Sequence, residues 1–193
     1  GIGKYGKGAL SEMHPQQLGA AVLKALAERN KINTAEVDDV IWGCSSQRGP
    51  ASGDLGRMSA LDAGYDVRSS GVTLDRFCGS GITSVNLAAA QIMSGQSDLV
   101  VGGGVESMSR VPMFSSGGAW PTDPQVAAKT YFVPQGVSAD LIATKWGYSR
   151  QELDAYAAES QRRAKQAWDE GRFRKSIVPV KDINGLVMLA HDE

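Results

Sequence analysis

One cysteine stands in a sequence context that could make it a nucleophile. Cys78 follows the short apolar run Val72-Thr73-Leu74 and precedes Gly79-Ser80-Gly81, after which a helical pattern begins. The first N–H groups of a helix lack partners within it and form the positive end of its dipole, which favours a thiolate. N–H groups here, including that of Cys78, can also bind the oxyanion formed when a thiolate attacks an acyl carbonyl. This short motif can therefore supply a nucleophile, part of its activation and part of an oxyanion hole.

The local context alone leaves a second interpretation of Cys78 open, because free cysteine is among the most frequently buried residue types. The other cysteine, Cys44, follows an apolar run and has no neighbouring base, so we predict a structural and unreactive thiol. Two cysteines so placed do not form a disulfide framework. Their contexts favour a reducing, cytoplasmic environment.

Three further titratable residues are candidates for other roles. His14 precedes Pro15 at a predicted helix start, where a capping or surface role is favoured over catalysis, and we treat His191 near the C-terminus in the same way. Glu106 follows an apolar run, and we predict that it accepts backbone N–H bonds and does not act as a catalytic acid. No spaced Cys/His cluster predicts a metal site.

Alternating elements must position these residues. Short apolar runs at 40–42, 72–74 and 99–101 each predict a strand. We expect the second strand to continue beyond its apolar run and to end at Cys78. Three helices are predicted: one begins at Pro15, a second spans residues 53–64, and a third runs from Ile82 and is stopped by Gly95. The apolar runs have no internal polar alternation, which is typical of a parallel sheet covered on both faces. The pattern predicts an α/β fold.

The character of the chain changes after Glu106, where glycine and proline are frequent and periodicity is weak. We therefore predict a boundary near Met113, with one domain at 1–113 and a second at 114–193. The second contains helical patterns at 139–146 and from a capping box at Ser149 to Gly171. Asn184-Gly185 then predicts a β-hairpin with a type I′ turn.

Charge and length exclude some classes of function. The chain has 193 residues, with 20 Lys and Arg against 21 Asp and Glu, and a formal net charge of −1. Such a balance gives no net basic field to attract nucleic acid or an anionic membrane. No apolar run is long enough to span a bilayer and no secretory signal is recognisable, so we expect a soluble, unexported protein. The predicted partners are small molecules and other protein chains.

Several separated segments resemble the thiolase family, in the right order. Residues 73–81 resemble its nucleophile motif, and residues 102–109 resemble its following strand-and-turn motif. Residues 3–10 and 135–140 resemble two further segments. The resemblance implies that Cys78 takes an acyl group from an acyl-CoA and passes it on. It also implies CoA thioesters as substrates without a prosthetic group, and a homodimer or homotetramer in the full enzyme.

The same resemblance implies a thiolase-like fold, layered α-β-α-β-α in the full enzyme. Residues 1–113 would form most of the N-terminal half-domain without its first strand, and 114–193 part of the loop domain. The family's activating histidine, its Asn-Glu-Ala motif and its second cysteine belong to a C-terminal half outside this sequence, so we expect incomplete turnover. Many thiolases have His-Met-Gly along the pantetheine channel where this chain has Pro134-Gln135-Gly136. Gln135 is thus a candidate substrate-binding residue.

Sequence leaves three points open. The resemblance fits either thiolytic cleavage of 3-ketoacyl-CoA, as in fatty acid metabolism, or the formation of acetoacetyl-CoA. Another condensing enzyme of the same superfamily is a close alternative. A non-catalytic fragment or assembly module, in which Cys78 is vestigial, is an alternative from a different class.

Overall fold

The structure is a computed structural model that describes residues 6–192. Part of the segment 3–10, on which the resemblance partly rests, lies outside the described residues. The chain divides into two compact units, which are described separately. The described part of the first comprises residues 6–116 and 178–192, and the second comprises residues 117–177. The assignment of 114–193 to a loop domain stays a prediction.

A three-stranded sheet forms the centre of the first unit. Its strands are β1 (Asp39–Gly43), β2 (Ser70–Leu74) and β3 (Val100–Gly104), in the order β2-β1-β3. Both pairings are parallel, and Ile41 lies opposite Val72 on one side and Gly102 on the other. The predicted parallel sheet is therefore confirmed. The predicted end of the second strand at Cys78 is wrong, because β2 ends at Leu74 and a turn follows.

Three helices cover this sheet, and the structure gives their bounds as α1 (Pro15–Asn30), α2 (Leu55–Asp62) and α3 (Ser80–Ser94). Helix α1 begins where predicted, since the fixed φ of Pro15 suits the first helical position. The Nδ1 atom of His14 accepts a hydrogen bond from the N–H of Gln16 at 3.3 Å, which confirms its predicted capping role. Helix α3 ends, as predicted, at Gly95 in the left-handed conformation (φ 74°).

The helices lie on both faces of the sheet. A Cβ atom on Gly56 of α2 would meet the Cβ of Trp42 at 2.5 Å, so Trp42 faces α2. Its neighbour in β1, Gly43, faces α3, because an added Cβ there would lie 2.6 Å from the carbonyl carbon of Ser80. Successive side chains of a strand point to opposite faces, which accounts for the alternation. The main core gathers the side chains of Leu23, Val37, Val40, Trp42, Cys44, Ala51, Leu55, Ala60, Tyr65, Val101 and Val111.

Helix α3 buries small residues and presents large apolar side chains on its exposed surface. The small residues Ser80, Ser84 and Ala88 are buried. Large apolar side chains on the remaining surface are exposed, namely those of Ile82, Val85, Leu87, Ile92 and Met93. A group of exposed apolar side chains on one helix is typical of a surface that another element covers.

The second unit is helical, with α4 (Ala119–Thr122), α5 (Pro124–Thr130), α6 (Gln135–Trp146) and α7 (Arg150–Asp169). Helix α7 opens with the predicted capping box. The Ser149 backbone N–H donates to Glu152 Oε2 at 2.8 Å, and the Glu152 N–H donates to Ser149 Oγ at 3.3 Å. These two reciprocal bonds satisfy N–H groups that the helix itself cannot satisfy.

The chain ends in the predicted hairpin, in which β4 (Val180–Lys181) pairs antiparallel with β5 (Val187–Leu189). The predicted type I′ turn is wrong, because Gly185 has a positive φ (84°) and Asn184 does not. The carboxylate of Asp182 explains the difference. Its Oδ1 accepts hydrogen bonds from the N–H groups of Asn184 and Leu186, both at 2.8 Å, which organises a longer loop.

Candidate active site

Cys78 lies in the turn 75–79 that joins the carboxyl end of β2 to the start of α3, and its side chain is exposed. The carboxyl ends of the parallel strands meet at one edge of the sheet, where α/β proteins usually bind their ligands. The local sequence thus places a thiol at the N-terminal end of a helix, as predicted.

An unusual backbone conformation precedes the thiol. Phe77 adopts a left-handed conformation (φ 48°), which is uncommon for a residue with a side chain. The Asp75 carboxylate supports it, because Oδ1 accepts a hydrogen bond from the Phe77 N–H at 2.7 Å. The Phe77 side chain is 61 % exposed. The turn is therefore held by polar contacts of the backbone and not by burial of this aromatic ring.

Two N–H groups next to Cys78 are already used inside the turn. The Gly79 N–H donates to the carbonyl of Arg76 and the Ser80 N–H donates to that of Phe77, both at 3.0 Å. These donors are consequently not available to an oxyanion. The predicted donor from this motif is the N–H of Cys78 itself.

The space beside the turn is open. A Cβ atom on Gly81 would meet nothing within 4 Å. Ile82, the next residue of α3, is 71 % exposed. Cys78 and the first turn of α3 are thus both open to solvent among the described residues.

Cys44 is in the opposite situation. It follows β1, is 1 % exposed, and belongs to the core. Burial, with a smaller contribution from the nearby Glu106 carboxylate, raises the pKa of the Cys44 thiol to about 12. The neutral thiol is thus the stable form at ordinary pH, in agreement with the predicted structural role.

Glu106 joins two loops at the edge of the sheet. Its Oε2 atom accepts a hydrogen bond from the Ser45 N–H at 2.7 Å, and Oε1 accepts one from the Ser46 N–H at 3.1 Å. These bonds confirm the predicted acceptor role. Glu106 therefore fixes the segment after β1 to the turn after β3, beside the region that carries Cys78.

Gln135 is the first residue of α6 and is exposed. It belongs to the second unit and Cys78 to the first, so the role of Gln135 stays a prediction. Within residues 6–192, no group of three or more His, Cys, Asp and Glu side chains could hold a metal ion. Over the same range, no helix has the length and apolar character needed to cross a membrane.

The two cysteines should differ sharply in reactivity. With a pKa of about 12, roughly one Cys44 thiol in ten thousand is ionised at pH 8, and the atom is buried. We predict that iodoacetamide modifies native protein at Cys78 alone, as measured by intact mass and peptide mapping. Cys78→Ser protein should remain unmodified until denaturant is added. Modification of Cys44 in native Cys78→Ser protein would contradict this prediction.

Comparison with known proteins gives a consistent result for the whole chain. The family profile described as "Thiolase, N-terminal domain" matches residues 1–191. A steroid 3-ketoacyl-CoA thiolase of Mycobacterium tuberculosis is 38% identical over 95% of this chain and 48% of its own length. A beta-ketoadipyl-CoA thiolase of Acinetobacter baylyi is 39% identical over 93% of this chain and 49% of its own length. A 3-ketoacyl-CoA thiolase of Marinobacter nauticus is 34% identical over 100% of this chain and 50% of its own length. The chain thus spans about half the length of these relatives.

Proposed function

The chain belongs to the thiolase family, whose N-terminal domain it matches, and on this basis we propose that Cys78 carries an acyl group between CoA thioesters. The observation that carries the proposal is the exposure of Cys78 in the turn between β2 and α3. The only other cysteine is buried, with its pKa raised to about 12. Cys78 is therefore the thiol of this chain that can reach a substrate.

The proposed reaction has two steps. In the cleavage direction, the Cys78 thiolate attacks the 3-keto carbon of a 3-ketoacyl-CoA, and the electron pair of the carbonyl moves to oxygen. When this oxyanion collapses, the C2–C3 bond breaks, and acetyl-CoA leaves as an enolate that takes a proton. A CoA thiolate then attacks the S-acyl-cysteine, forms a new thioester and releases the Cys78 thiolate. Acetoacetyl-CoA formation runs these steps in reverse.

The Cys78 N–H is the proposed donor to the oxyanion in both steps. Preorganised donors of this kind are worth about 10²- to 10³-fold in rate when one is removed by mutation. The relatives are named for 3-ketoacyl-CoA and beta-ketoadipyl-CoA, which supports 3-ketoacyl-CoA thioesters as the class of substrate. In this proposal CoA esters are substrates, and the reaction needs no prosthetic group or metal.

We further propose that these residues do not complete turnover without groups from a C-terminal half. The sequence has two histidines, and His14 is engaged in capping α1. The exposed apolar side chains on the outer face of α3 support a further layer packed on that helix. A cytoplasmic homodimer or homotetramer is the proposed state of the full enzyme.

Acylation by acetyl-CoA tests the proposal. A protein containing these residues together with a thiolase C-terminal half should gain one acetyl group at Cys78, as measured by intact mass and peptide mapping. Cys78→Ala protein should gain none, because the attacking atom is removed. The 193-residue chain alone should acetylate more slowly and should release no acetoacetyl-CoA.

Each alternative gives a different result. If the longer protein gains no acetyl group at Cys78, the proposed acyl transfer from CoA thioesters to Cys78 is wrong. If the 193-residue chain alone forms acetoacetyl-CoA, the proposed dependence on a C-terminal half is wrong.

A further inference from the structure

Ser80 makes two side-chain hydrogen bonds to the turn that carries Cys78. It is the first residue of α3 and is 5 % exposed. Its Oγ atom accepts a hydrogen bond from the Arg76 N–H at 2.8 Å and donates one to the Phe77 carbonyl at 2.6 Å. One buried hydroxyl thus holds two successive residues on the N-terminal side of the thiol.

The bond to the Phe77 carbonyl has a consequence for Cys78. The carbonyl of Phe77 and the N–H of Cys78 belong to the same peptide group. Among the described residues every peptide is trans, so these two groups point in opposite directions. The Phe77 carbonyl accepts from both the N–H and the hydroxyl of Ser80, at 3.0 Å and 2.6 Å. Ser80 therefore fixes the direction in which the Cys78 N–H points.

The conformation that these bonds hold is one the chain would not adopt unaided. Phe77 has a φ of 48°, and such left-handed residues persist only where the surroundings hold them. Without the hydroxyl, the Phe77 carbonyl would lose its shortest hydrogen bond and the Arg76 N–H would lose its acceptor. The Phe77 carbonyl would then keep only its bond from the Ser80 N–H, and the peptide group between Phe77 and Cys78 would be held less firmly.

We propose that Ser80 is a positioning residue for acyl transfer, whose hydroxyl aims the Cys78 N–H at the oxyanion. This inference rests on the proposed nucleophilic role of Cys78. Ser80 acts through the peptide group and does not touch the substrate. Its loss should therefore slow reactions that pass through an oxyanion more than reactions that only need the sulfur.

Ser84 offers a matched control on the same helix. It is 0 % exposed, and its Oγ lies 2.7 Å from the carbonyl oxygens of both Gly81 and Gly103. Ser84→Ala removes a buried hydroxyl of the same kind from α3. The bonds lost in that variant lead to the helix and to β3, and not to the turn at Cys78.

Two small probes separate positioning from reactivity of the sulfur. S-phenyl thioacetate acylates a thiol through an oxyanion, while iodoacetamide alkylates it by direct displacement. Both rates are measured at Cys78 by intact mass on the 193-residue chain. We expect Ser80→Ala to lower the ratio of acylation to alkylation about tenfold, a partial loss of one oxyanion donor. Ser84→Ala should keep the wild-type ratio, and Ser80→Thr, which retains the hydroxyl, should restore it to within about threefold.

An equal loss of both rates in Ser80→Ala, or the same ratio in Ser80→Ala and Ser84→Ala, would overturn the proposal. Thermal unfolding shows whether each variant is folded. Where Ser80→Ala does not fold, Ser80→Val is compared with Ser80→Thr, since the two side chains have the same shape and differ in the hydroxyl. The probe needs no CoA site. If Ser80→Ala lowers the ratio as expected and the longer protein does not react with acetyl-CoA, the role of Ser80 holds and the proposed substrate class fails.

Discussion

Trp42→Ala is expected to lower the free energy of unfolding of this protein by about 3–5 kcal/mol, the range for truncating a buried aromatic side chain. Trp42 is 2 % exposed in the middle of the sheet. Added Cβ atoms on Gly56 and Gly103 would lie 2.5 Å from its side chain, and one on Gly19 would lie 3.5 Å from it. Glycines have no side chains that could fill the space left by the indole. We therefore expect a value near the upper end of the range, measured by urea or thermal unfolding.

Trp42→Phe provides the comparison. The Trp42 Nε1–H is buried and finds no hydrogen-bond acceptor among the described residues, and an unpaired buried donor costs about 1–3 kcal/mol. Phenylalanine lacks that donor and keeps most of the ring, so Trp42→Phe should destabilise the protein by less than half as much as Trp42→Ala. Equal losses in the two variants would show that the indole ring does not fill the space between the three glycines.

Local signals in the sequence were sufficient for the ends of several helices. Pro15 suits the first position of a helix through its fixed φ, and Gly95 accepts the left-handed conformation that ends one. Ser149 with Glu152 forms its capping box from residues three positions apart. Each of these features depends on neighbours in sequence, which explains why the sequence predicts them.

Contacts between distant residues were not predictable in this way. Trp42 lies against glycines of two helices and a neighbouring strand, and no periodicity indicates which glycine meets which ring. In the hairpin, a contact between residues close in sequence was also not predicted. Asn184-Gly185 favours a type I′ turn, yet the Asp182 carboxylate captures the loop N–H groups and gives a longer loop.

In the candidate site, too, some features are predictable from the sequence and others are not. The sequence indicates Cys78 through its place before a glycine-rich helix start, and Glu106 as an acceptor of N–H bonds. It does not indicate the left-handed conformation of Phe77, because non-glycine residues adopt it only where other contacts impose it. Ser80 is part of the sequence motif, but the sequence does not predict that its hydroxyl binds the carbonyl of Phe77.

Gly43→Ala is the second change with a large expected effect, because it acts on the packing that places the Cys78 turn. A methyl group on Gly43 would lie 2.6 Å from the carbonyl carbon of Ser80 and 2.8 Å from the N atom of Gly81. Both are backbone atoms and cannot rotate away. Overpacking of this kind costs about 1–3 kcal/mol and shifts the backbone. We expect a loss of stability in this range and a slower acylation of Cys78, measured by thermal unfolding and by S-phenyl thioacetate.

Gly81→Ala is the matched control for Gly43→Ala, because Gly81 lies in α3, the helix whose backbone the Gly43 methyl group would meet. A Cβ atom there meets nothing within 4 Å, and Gly81 lies inside α3. Alanine in a helix is favoured over glycine by up to about 1 kcal/mol, so Gly81→Ala should stabilise the fold. Both variants add a methyl group near the start of α3. We expect Gly43→Ala to lower the free energy of unfolding and Gly81→Ala to raise it. Similar stability changes in both would contradict the close approach of β1 to α3, and with it the argument that Gly43 sets the position of the nucleophile.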